Sequence, residues 1–472
     1  MVPADPGGGV MRADLLTEPV PGLDDVLAAV DAFDRALVPG LLRPQPAAAA
    51  ALAELASAVS GTPLAGRVAE AAEKTAAGAA GEDHFAVLAA ARTALLGAAH
   101  DALADRADEA AGRTRLATAG PGNGAGAAPN LLAAARSWLC DLARAGWEGI
   151  DHDLVSGAAP VVSALLPEPA LRRLAALLDG FAAELAASCP GTALDRVPVR
   201  RWADLWARGM ILTQPGATGA PATGTATGRL LPLGVDLHEH ATAVQAQVHA
   251  VFEPSDGTPP RLVRASVSAP KPDTVVGAGG WQLLRPHMAL LAAVGEGLSM
   301  DLADMPVTAE GDLIWDDDHA RPGAPADPFA TARVALADVV YAPAAPLDRH
   351  PARIAAPVLV TGYTVEQRDG ATAFLLAGHR LPVDTDRIPA ASPLTPASVA
   401  ASGACIGLLR WDAGAFHLQP LAVETTVKKK AVALHAGAWA GGTTDKAGAK
   451  AEKAATDAVA VLRERAGKLL RR

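Results

Sequence analysis

A change of sequence pattern near residues 214–228 constrains the fold of this chain more than any other feature. After Gln214 the run contains only Ala, Gly, Pro and Thr residues. Apolar residues recur at helical spacing before the run and alternate at strand spacing after it. The pattern predicts an α+β, multidomain protein with an all-α helical N-terminal half. The C-terminal half is expected to be a mostly antiparallel β barrel or sandwich with helical inserts, joined to the first half by a flexible linker.

The predicted domain boundaries follow these changes in composition along the 472 residues of the chain. They are a loose N-terminus over 1–20, a helical domain over 21–213 with an internal break considered at 116–128, the linker over 214–228, a β-rich domain over 229–425, and a basic tail with an amphipathic helix over 426–472. A chain of this length is ample for a buried core.

Three helices of the N-terminal half are the clearest from sequence. The first begins at Asn130, a favoured N-cap residue, and ends at Gly146. The second begins at Pro169, because proline suits the first helical turn. The third carries Trp202 and Trp206 on one apolar stripe. The N-terminal half is therefore expected to bury its aromatic residues between helices.

Strands are predicted beyond the linker. Apolar and polar residues alternate over 244–252 and again over 263–267, as in half-buried strands. Asp369-Gly370 and Asp412-Ala413-Gly414 each separate two strand-like runs, which is a strong hairpin signal. Helical inserts are expected at Arg285–Val294 and Pro328–Val339.

Charge is divided unevenly along the chain. Residues 426–472 contain eleven basic and four acidic residues, a net charge of +7, whereas the whole chain carries −10, so that residues 1–425 carry −17. This balance argues against an affinity of the whole surface for nucleic acid or anionic membrane. The tail, by contrast, could bind phosphates or an acidic partner through Lys428, Lys429, Lys430, Arg463, Arg465 and Arg471. Alternatively, its stripe of Ala455, Val459, Leu462, Ala466 and Leu469 docks on the body of the protein.

Compartment and membrane association follow from simple signals. The three cysteines are far apart and form neither a disulfide framework nor a zinc pattern, so a reducing cytoplasm is expected. No basic segment followed by an apolar run begins the chain, and every apolar stretch is interrupted well before ~18 residues. We therefore expect neither a signal peptide nor a transmembrane helix.

Two clusters of polar residues are candidates for a divalent metal. On a strand, His238 and His240 share one face, about 6.5–7 Å apart along it, and two such imidazoles can share a metal. Asp316, Asp317 and Asp318 follow an apolar segment and could hold a hard cation. The competing interpretations are a solvated strand end and a solvated turn. A joint site requires the two clusters to meet in space.

No sequence motif identifies a reaction. The phosphate-binding Gly-x-x-x-x-Gly-Lys loop, the Gly-x-Ser-x-Gly elbow and the His-Glu-x-x-His motif are all absent. We therefore expect a non-enzymatic accessory or adaptor protein, without a cofactor, that binds another macromolecule, most readily a protein, through its two halves. One alternative is a nucleic-acid-binding protein that uses the β-rich domain and the tail, although its aromatic residues have no recognisable spacing. The other is a metal-dependent hydrolase that uses the histidine and aspartate clusters. The sequence does not predict the oligomeric state.

Overall fold

The N-terminal half of the chain is helical. The computed structural model describes residues 11–116, 128–217, 223–336, 338–427 and 429–469. The α-helices of the N-terminal half are α1 (Ala13–Thr17), α2 (Leu23–Ala36), α3 (Pro46–Ala58), α4 (Ala65–Ala76), α5 (Glu82–Ala111), α6 (Pro129–Ala145), α7 (His152–Ser156), α8 (Ala158–Leu165), α9 (Arg172–Ala187) and α10 (Val199–Leu212).

Aromatic packing holds the helical half together. Trp147, Trp202 and Trp206 are fully buried, and the rings of Trp147 and Trp202 meet edge to face with centroids 5.8 Å apart. Such contacts add to the gain from burying large apolar surfaces. The predicted helix from residue 130 is confirmed as α6, which Gly146 ends with a φ of +74°. The predicted helix that carries Trp202 and Trp206 is confirmed as α10.

The C-terminal half begins with a first barrel. Its elements are β1 (Thr223–Glu239), β2 (Ala243–Pro254), β3 (Arg261–Pro270), α11 (Ala278–Leu284), α12 (Met288–Glu296), β4 (Leu298–Thr308), β5 (Asp312–Leu313) and β6 (Ala320–Pro325). Strands pair in the order β1-β2-β3-β5-β4, and β4 also pairs with β1, so the sheet closes on itself. β3 and β5 are parallel, and the other neighbouring strands are antiparallel. β6 continues the pairing of β5 along β4, so β5 and β6 act as one interrupted fifth strand.

A second barrel follows. Its elements, with the helices on either side, are α13 (Pro328–Ala335), β7 (Ala356–Thr361), β8 (Thr364–Arg368), β9 (Ala371–Leu376), β10 (His379–Val383), α14 (Pro396–Ala400), β11 (Ser402–Asp412), β12 (Ala415–Val427), β13 (Lys430–His435) and α15 (Lys446–Leu469). The predicted hairpins are confirmed as β8–β9 and β11–β12.

The two barrels share one connectivity. The second sheet has the order β8-β9-β10-β12-β11-β7, and β10 is parallel to β12. β7 and β8 are separated only by Gly362, with a φ of +70°, and Tyr363, so together they form one bent first strand. Each barrel then has first, second and third strands, a helical insert, and fourth and fifth strands, with its third and fifth strands parallel. The predicted α+β class, with a mostly antiparallel C-terminal half, is confirmed.

The helical half and the barrels share a hydrophobic core. Leu15 and Leu16 of α1 and Leu103 and Ala107 of α5 are buried in one cluster with the interiors of both barrels. A second cluster lies within the helical half alone. Part of the predicted loose N-terminus is therefore a buried helix, because the leucines of α1 find apolar surface on the second barrel.

The structure also differs from the predicted linker over 214–228. From Thr223 the chain is already in β1, where Thr223 to Leu230 pair with β4. Backbone pairing needs no large side chains, and threonine is a favoured strand residue. A run of small residues can therefore form a strand without the alternation of apolar and polar residues that would predict it. Residues 218–222 and most of the break considered at 116–128 lie outside the described residues. Among the helices that the structure describes, none is both long and apolar enough to cross a bilayer.

Candidate functional site

A buried polar cluster lies where the two barrels meet. Asp236 of β1 is 3% exposed and receives hydrogen bonds from both partners on the second barrel. Arg410 Nη2 of β11 donates to its Oδ2 at 2.5 Å, and Gln419 Nε2 of β12 donates to its Oδ1 at 2.8 Å. Arg410 Nε also donates to Gln419 Oε1 at 2.5 Å. These three residues join the barrels through charge-assisted hydrogen bonds.

The pairing register of β1 and β2 determines which side chains surround the cluster. Asp236 lies opposite Gln247, His238 opposite Gln245, and Gly234 opposite His249. Directly opposed residues point to the same face of a sheet, so these side chains share the outer face of the first barrel.

Gly234 allows the close approach of the second barrel. A Cβ atom at this position would lie 2.7 Å from Cβ of Leu421 in β12. Any larger residue would force the two barrels apart, which would disturb the contact of Arg410 with Asp236.

The electrostatics of the cluster favour an ionised Asp236. Burial alone would raise the pKa of its carboxyl, but His238 and Arg410 outweigh burial and hold that pKa well below its usual range. His238 Nε2 lies 2.9 Å from Asp236 Oδ2, although the angle is not that of a hydrogen bond. The His238 side chain is 31% exposed. Among the described residues, Nε2 of His238 has no hydrogen-bond partner.

His249, near the cluster, is a buried histidine held in its neutral form. It is 1% exposed, and burial, helped by Arg264, lowers its pKa to about 3, so the ring is neutral at pH 7. Within the described part of the chain its Nε2 atom has no hydrogen-bond partner. A buried polar atom without a partner costs free energy, which makes this nitrogen a natural contact for a ligand.

His249 lines a cleft between the helical half and the first barrel. The cleft encloses about 720 Å³, its solvent-open mouth included. Its walls come from α5, from β2 and β3, from the loop between β4 and β5, and from the connecting segment, which we define as residues 341–357. The polar side chains that line it are His100, His249, Arg264, Glu310, Tyr341 and Arg353.

Most charges in this cleft are already paired. Arg264 holds Asp312 through two hydrogen bonds of 2.7 and 2.9 Å, and Arg353 forms an ion pair with Asp348. The neighbouring outer face of β2 and β3 carries uncharged polar residues, Gln245, Gln247, Ser266 and Ser268, that are half-buried or exposed. The cleft therefore offers hydrogen bonds rather than a strong net charge.

The second barrel has a cleft at the equivalent place. It is lined by Leu381 of the third strand, by Trp411 and Phe416 beside the turn between the fourth and fifth strands, and by Leu16 of α1. Thr17 Oγ1 at the end of α1 lies 3.0 Å from His379 Nδ1, beside that third strand. The corresponding face of the second barrel thus contacts an N-terminal segment of its own chain.

The structure does not bring the two predicted metal clusters together. His319 lies at the end of the aspartate turn, and its Nδ1 is 2.7 Å from the carbonyl oxygen of Ala303 in β4. The neighbouring residue of β4, Leu302, pairs with Gly228 of β1, so the turn lies near Gly228. His238 lies ten residues further along β1, about 30 Å of strand path from that point.

The aspartates are used locally instead. Asp316 caps the turn by accepting from the Asp318 N–H, and Asp317 accepts from Trp315 Nε1 at 2.6 Å. His240 is exposed at the end of β1. In the described ranges, no group of three His, Cys, Asp or Glu residues could hold a metal.

The predicted basic tail is divided between two elements. Lys429 and Lys430 are exposed at the turn between β12 and β13, while Lys428 and Arg471 lie outside the described residues. α15 docks on α11 through its first turns: Gln282 Nε2 of α11 donates to the Glu452 carbonyl oxygen at 3.1 Å, and Arg285 Nη2, just after α11, donates to Glu452 Oε1 at 2.8 Å.

The predicted apolar stripe of α15 is only partly covered. Ala455 packs against the shared core, Val459 and Leu462 are half-buried, and Ala466 is exposed. Arg463 and Arg465 are exposed on the distal part of the helix.

Groups that would suit other chemistry are buried. Tyr363 and Phe374 stack inside the second barrel with centroids 3.8 Å apart, and Phe416 is 5% exposed, so these rings are not free to stack on bases. Burial raises the pKa of the Cys140 thiol to about 12, which excludes a reactive thiolate there.

The residues of the buried cluster were missed by sequence reasoning, although one signal was present. Asp236 stands inside the apolar strand sequence Leu233-Gly-Val-Asp-Leu237. A carboxylate in the middle of such a strand indicates a buried charged partner. Its partners Arg410 and Gln419 follow 174 and 183 residues later and could not be identified from spacing.

Comparison of the chain with known protein families, with curated proteins and with solved structures finds no match. The strand connectivity alone is informative. A five-stranded Greek-key barrel is the architecture of the OB-fold, whose ligands bind on the second and third strands and on the 1–2 and 4–5 loops. The cleft of the first barrel adjoins its third strand and the loop between its fourth and fifth strands. A fold-level likeness identifies a place for a ligand and not its chemistry.

Proposed function

We propose that this protein is a non-enzymatic accessory protein that binds a segment of a partner protein in the cleft of its first barrel. One observation carries the proposal. On the second barrel, the equivalent third strand already contacts α1, an N-terminal segment of the same chain. The second barrel therefore holds a polypeptide segment of its own molecule beside its third strand.

The chemistry of the cleft supports an uncharged polypeptide segment as its ligand. Arg264 and Arg353 are each paired with a carboxylate, so little net charge is left to attract a polyanion. The neutral His249 ring in the cleft, and the amides of Gln245 and Gln247 on the neighbouring outer face of β2, are suited to peptide N–H and C=O groups.

Site-specific photo-crosslinking tests this proposal. A benzophenone amino acid replaces Ala344, a half-buried residue of the cleft, in cells that normally express the protein. The control carries the same group at Val334, which is 77% exposed on α13 and does not line the cleft. We expect protein adducts from position 344 that are absent from position 334.

A blocking variant completes the experiment. Ala342→Trp places a large ring in the same cleft and should suppress the adducts from position 344, with folding checked by circular dichroism. Equal adducts from both positions, or adducts that Ala342→Trp leaves unchanged, would contradict binding in the cleft.

We also propose nucleic-acid binding as a second candidate function, which two observations favour. Both barrels have the connectivity of the OB-fold, and α15 exposes Arg463 and Arg465. In this case α15 and the turn of Lys429 and Lys430 would contact phosphates, since the charges of the cleft are paired.

Fluorescence anisotropy with a labelled single-stranded oligonucleotide tests the second candidate. Affinity should fall steeply with salt, and Arg463→Glu with Arg465→Glu should remove most of it. Arg43→Glu, on an exposed loop of the helical half, is the matched control and should change little. Binding that is insensitive to salt, or lost equally in the control, would contradict this candidate.

We further propose a cytoplasmic location. Cys140, Cys189 and Cys405 are all free thiols, and Cys140 and Cys405 are buried, which is the usual state of cysteines in a reducing compartment.

A further inference from the structure

A third cleft lies where the end of α5 meets α13 and the first strand of the second barrel. It encloses about 570 Å³, its open mouth included, and neither proposed function uses it. Most of its walls are aliphatic: they are formed by Met11, Ala111, Ala332, Leu336, Val358 and Leu359. Thr361 and Arg333 also line this cleft. Such walls favour an apolar chain over a hydrated ion.

One arginine in this cleft is buried with most of its donors unused. The Arg113 side chain is 1% exposed and donates from Nη1 to the carbonyl oxygen of Pro357 at 2.6 Å. Within the described residues, its Nε and Nη2 atoms have no hydrogen-bond partner. Leaving charged donors unpaired in a buried place is costly, so these two atoms mark a contact for an acceptor.

The same two atoms hold carboxylates elsewhere in this protein. Arg92 donates from Nε and Nη2 to the two oxygens of Asp34 at 2.6 and 2.9 Å. Arg264 does the same with Asp312 at 2.7 and 2.9 Å. This edge of the guanidinium matches the spacing of two carboxylate oxygens. In Arg113 neither Nε nor Nη2 donates a hydrogen bond to a described residue.

The charge around Arg113 also favours an anion. Arg113 and Arg115 share one buried carboxylate, Asp108, whose Oδ2 accepts from Arg115 Nη2 at 2.8 Å. Asp108 Oδ1 is 3.8 Å from Arg113 Nη2, too far for a hydrogen bond, and has no other partner among the described residues. Asp105, the other acid near Arg115, is 74% exposed. A second anion would therefore balance the two guanidinium groups.

We propose that this cleft binds a carboxylate that carries an aliphatic chain. The carboxylate accepts from Nε and Nη2 of Arg113, and the chain lies against the aliphatic walls near Leu336 and Val358. The ligand is either a free fatty acid or the C-terminal carboxylate of a peptide that ends in an aliphatic residue.

Calorimetric titration of the full chain with octanoate tests the proposal. Octanamide, which has the same chain without the charge, is the matched ligand control and should bind at least ~10-fold more weakly, since hydrogen bonds to charged groups are strong. This comparison needs no variant. Equal affinity for octanoate and octanamide would overturn the proposal.

Two arginine variants locate the site. Arg113→Met keeps the length of the side chain and should weaken octanoate binding by ~10- to 100-fold. Arg43→Met, at an exposed arginine that does not line this cleft, should leave affinity within about threefold. Loss of binding in Arg43→Met, or unchanged binding in Arg113→Met, would overturn the assignment to Arg113.

The source of the carboxylate is distinguished with leucyl-leucine. Binding of octanoate without the dipeptide assigns the cleft to free acids, and binding of the dipeptide but not its C-terminal amide assigns it to peptide ends. If neither octanoate nor leucyl-leucine binds, the proposal is wrong.

Discussion

The two barrels of this protein share one connectivity but present different surfaces at the same place. Next to the third strand and the 4–5 loop, the first barrel carries polar side chains, among them His249 and Arg264. The second barrel has Leu381, Trp411 and Phe416 there, and α1 contacts this face. Strand pairing thus determines where a cleft forms, whereas the side chains around it determine whether the chain itself or another molecule occupies it.

The barrels also close in different ways. In the first, Gly228 and Leu230 of the unbroken β1 pair with both β2 and β4. In the second, Gly362 divides the first strand, and Tyr363 turns inward to stack on Phe374. A closed barrel needs a sharply bent first strand, and a bulge or a glycine can supply the bend. Equal topology therefore does not require equal sequence.

The contact between the barrels gives the largest expected effect. Arg410→Met leaves Asp236 charged, buried and without its cationic partner, which should lower the free energy of unfolding by about 3–5 kcal/mol in urea denaturation. The double variant Arg410→Met with Asp236→Asn should recover part of the loss, because the asparagine is uncharged. A single variant within about 1 kcal/mol of wild type would mean that the barrels are not coupled through this pair.

The next prediction concerns α1, which packs on the second barrel. Leu16 is 7% exposed in the shared core and lines the cleft under α1. Leu16→Ala should cost about 2 kcal/mol, at the low end for such a change because a cleft already adjoins the site. Leu42→Ala, at a leucine that is 58% exposed, is the control and should cost little. Equal effects of the two changes on urea unfolding would argue that α1 does not stabilise the barrel.

The first barrel should show a pH dependence that comes from His249. Its folded pKa is about 3, whereas a histidine in the unfolded chain titrates near 6.5. Between these pH values the unfolded state binds the extra proton. The contribution of the neutral His249 to the free energy of unfolding is therefore complete above about pH 6.5 and is lost as the pH falls toward 3.

Replacing His249 should remove this pH-dependent contribution to the free energy of unfolding. From pH 7 to pH 5 wild type should lose about 2 kcal/mol more than His249→Gln, because the glutamine does not titrate. His350, whose folded pKa burial lowers to about 4, is present in both proteins, so only the difference between them reports on His249. Parallel pH profiles from urea unfolding would show that His249 is not buried in its neutral form.

Local signals in the sequence predicted local structure well. Asp369-Gly370 and Gly414 predicted the two hairpins, and Gly146 predicted the end of α6, because each depends on neighbouring residues alone. The parallel pairs of each barrel join strands that are far apart in sequence, as with Val383 and Leu418. No periodicity reports such a pairing, so the repeated connectivity could not be predicted.

The candidate site was harder to predict than the fold. His238 was singled out for its neighbour His240, but the structure pairs it with Asp236 on the same face of β1. Asp316 to Asp318 looked like ligands because they are adjacent, although adjacent acids in a turn cap one another's backbone. Clusters in sequence are thus weak evidence for a site, whereas an isolated charge inside an apolar strand is stronger.

The smallest expected effect on stability concerns the C-terminal end of α15, most of which is exposed. Its proximal part is held by Glu452 and Ala455, while Arg463, Arg465 and Ala466 are exposed. Deleting residues 457–472 should therefore change the free energy of unfolding by only about 0.5 kcal/mol. The same deletion should weaken any salt-sensitive binding to an acidic partner, because it removes the exposed Arg463 and Arg465 while Lys429 and Lys430 remain.

A charge placed in the proximal part of α15 is the matched comparison. Ala455→Asp puts a carboxylate at a position whose Cβ would lie 3.8 Å from a Cβ on Gly279, so it should cost more than the whole deletion, about 1–3 kcal/mol. Both variants are measured by urea unfolding of the full chain. A deletion that costs as much as Ala455→Asp would mean that the apolar stripe of Val459 and Leu462 docks along its entire length. If both variants were silent, α15 would not stabilise the barrels at all, and its contact with α11 would be dispensable.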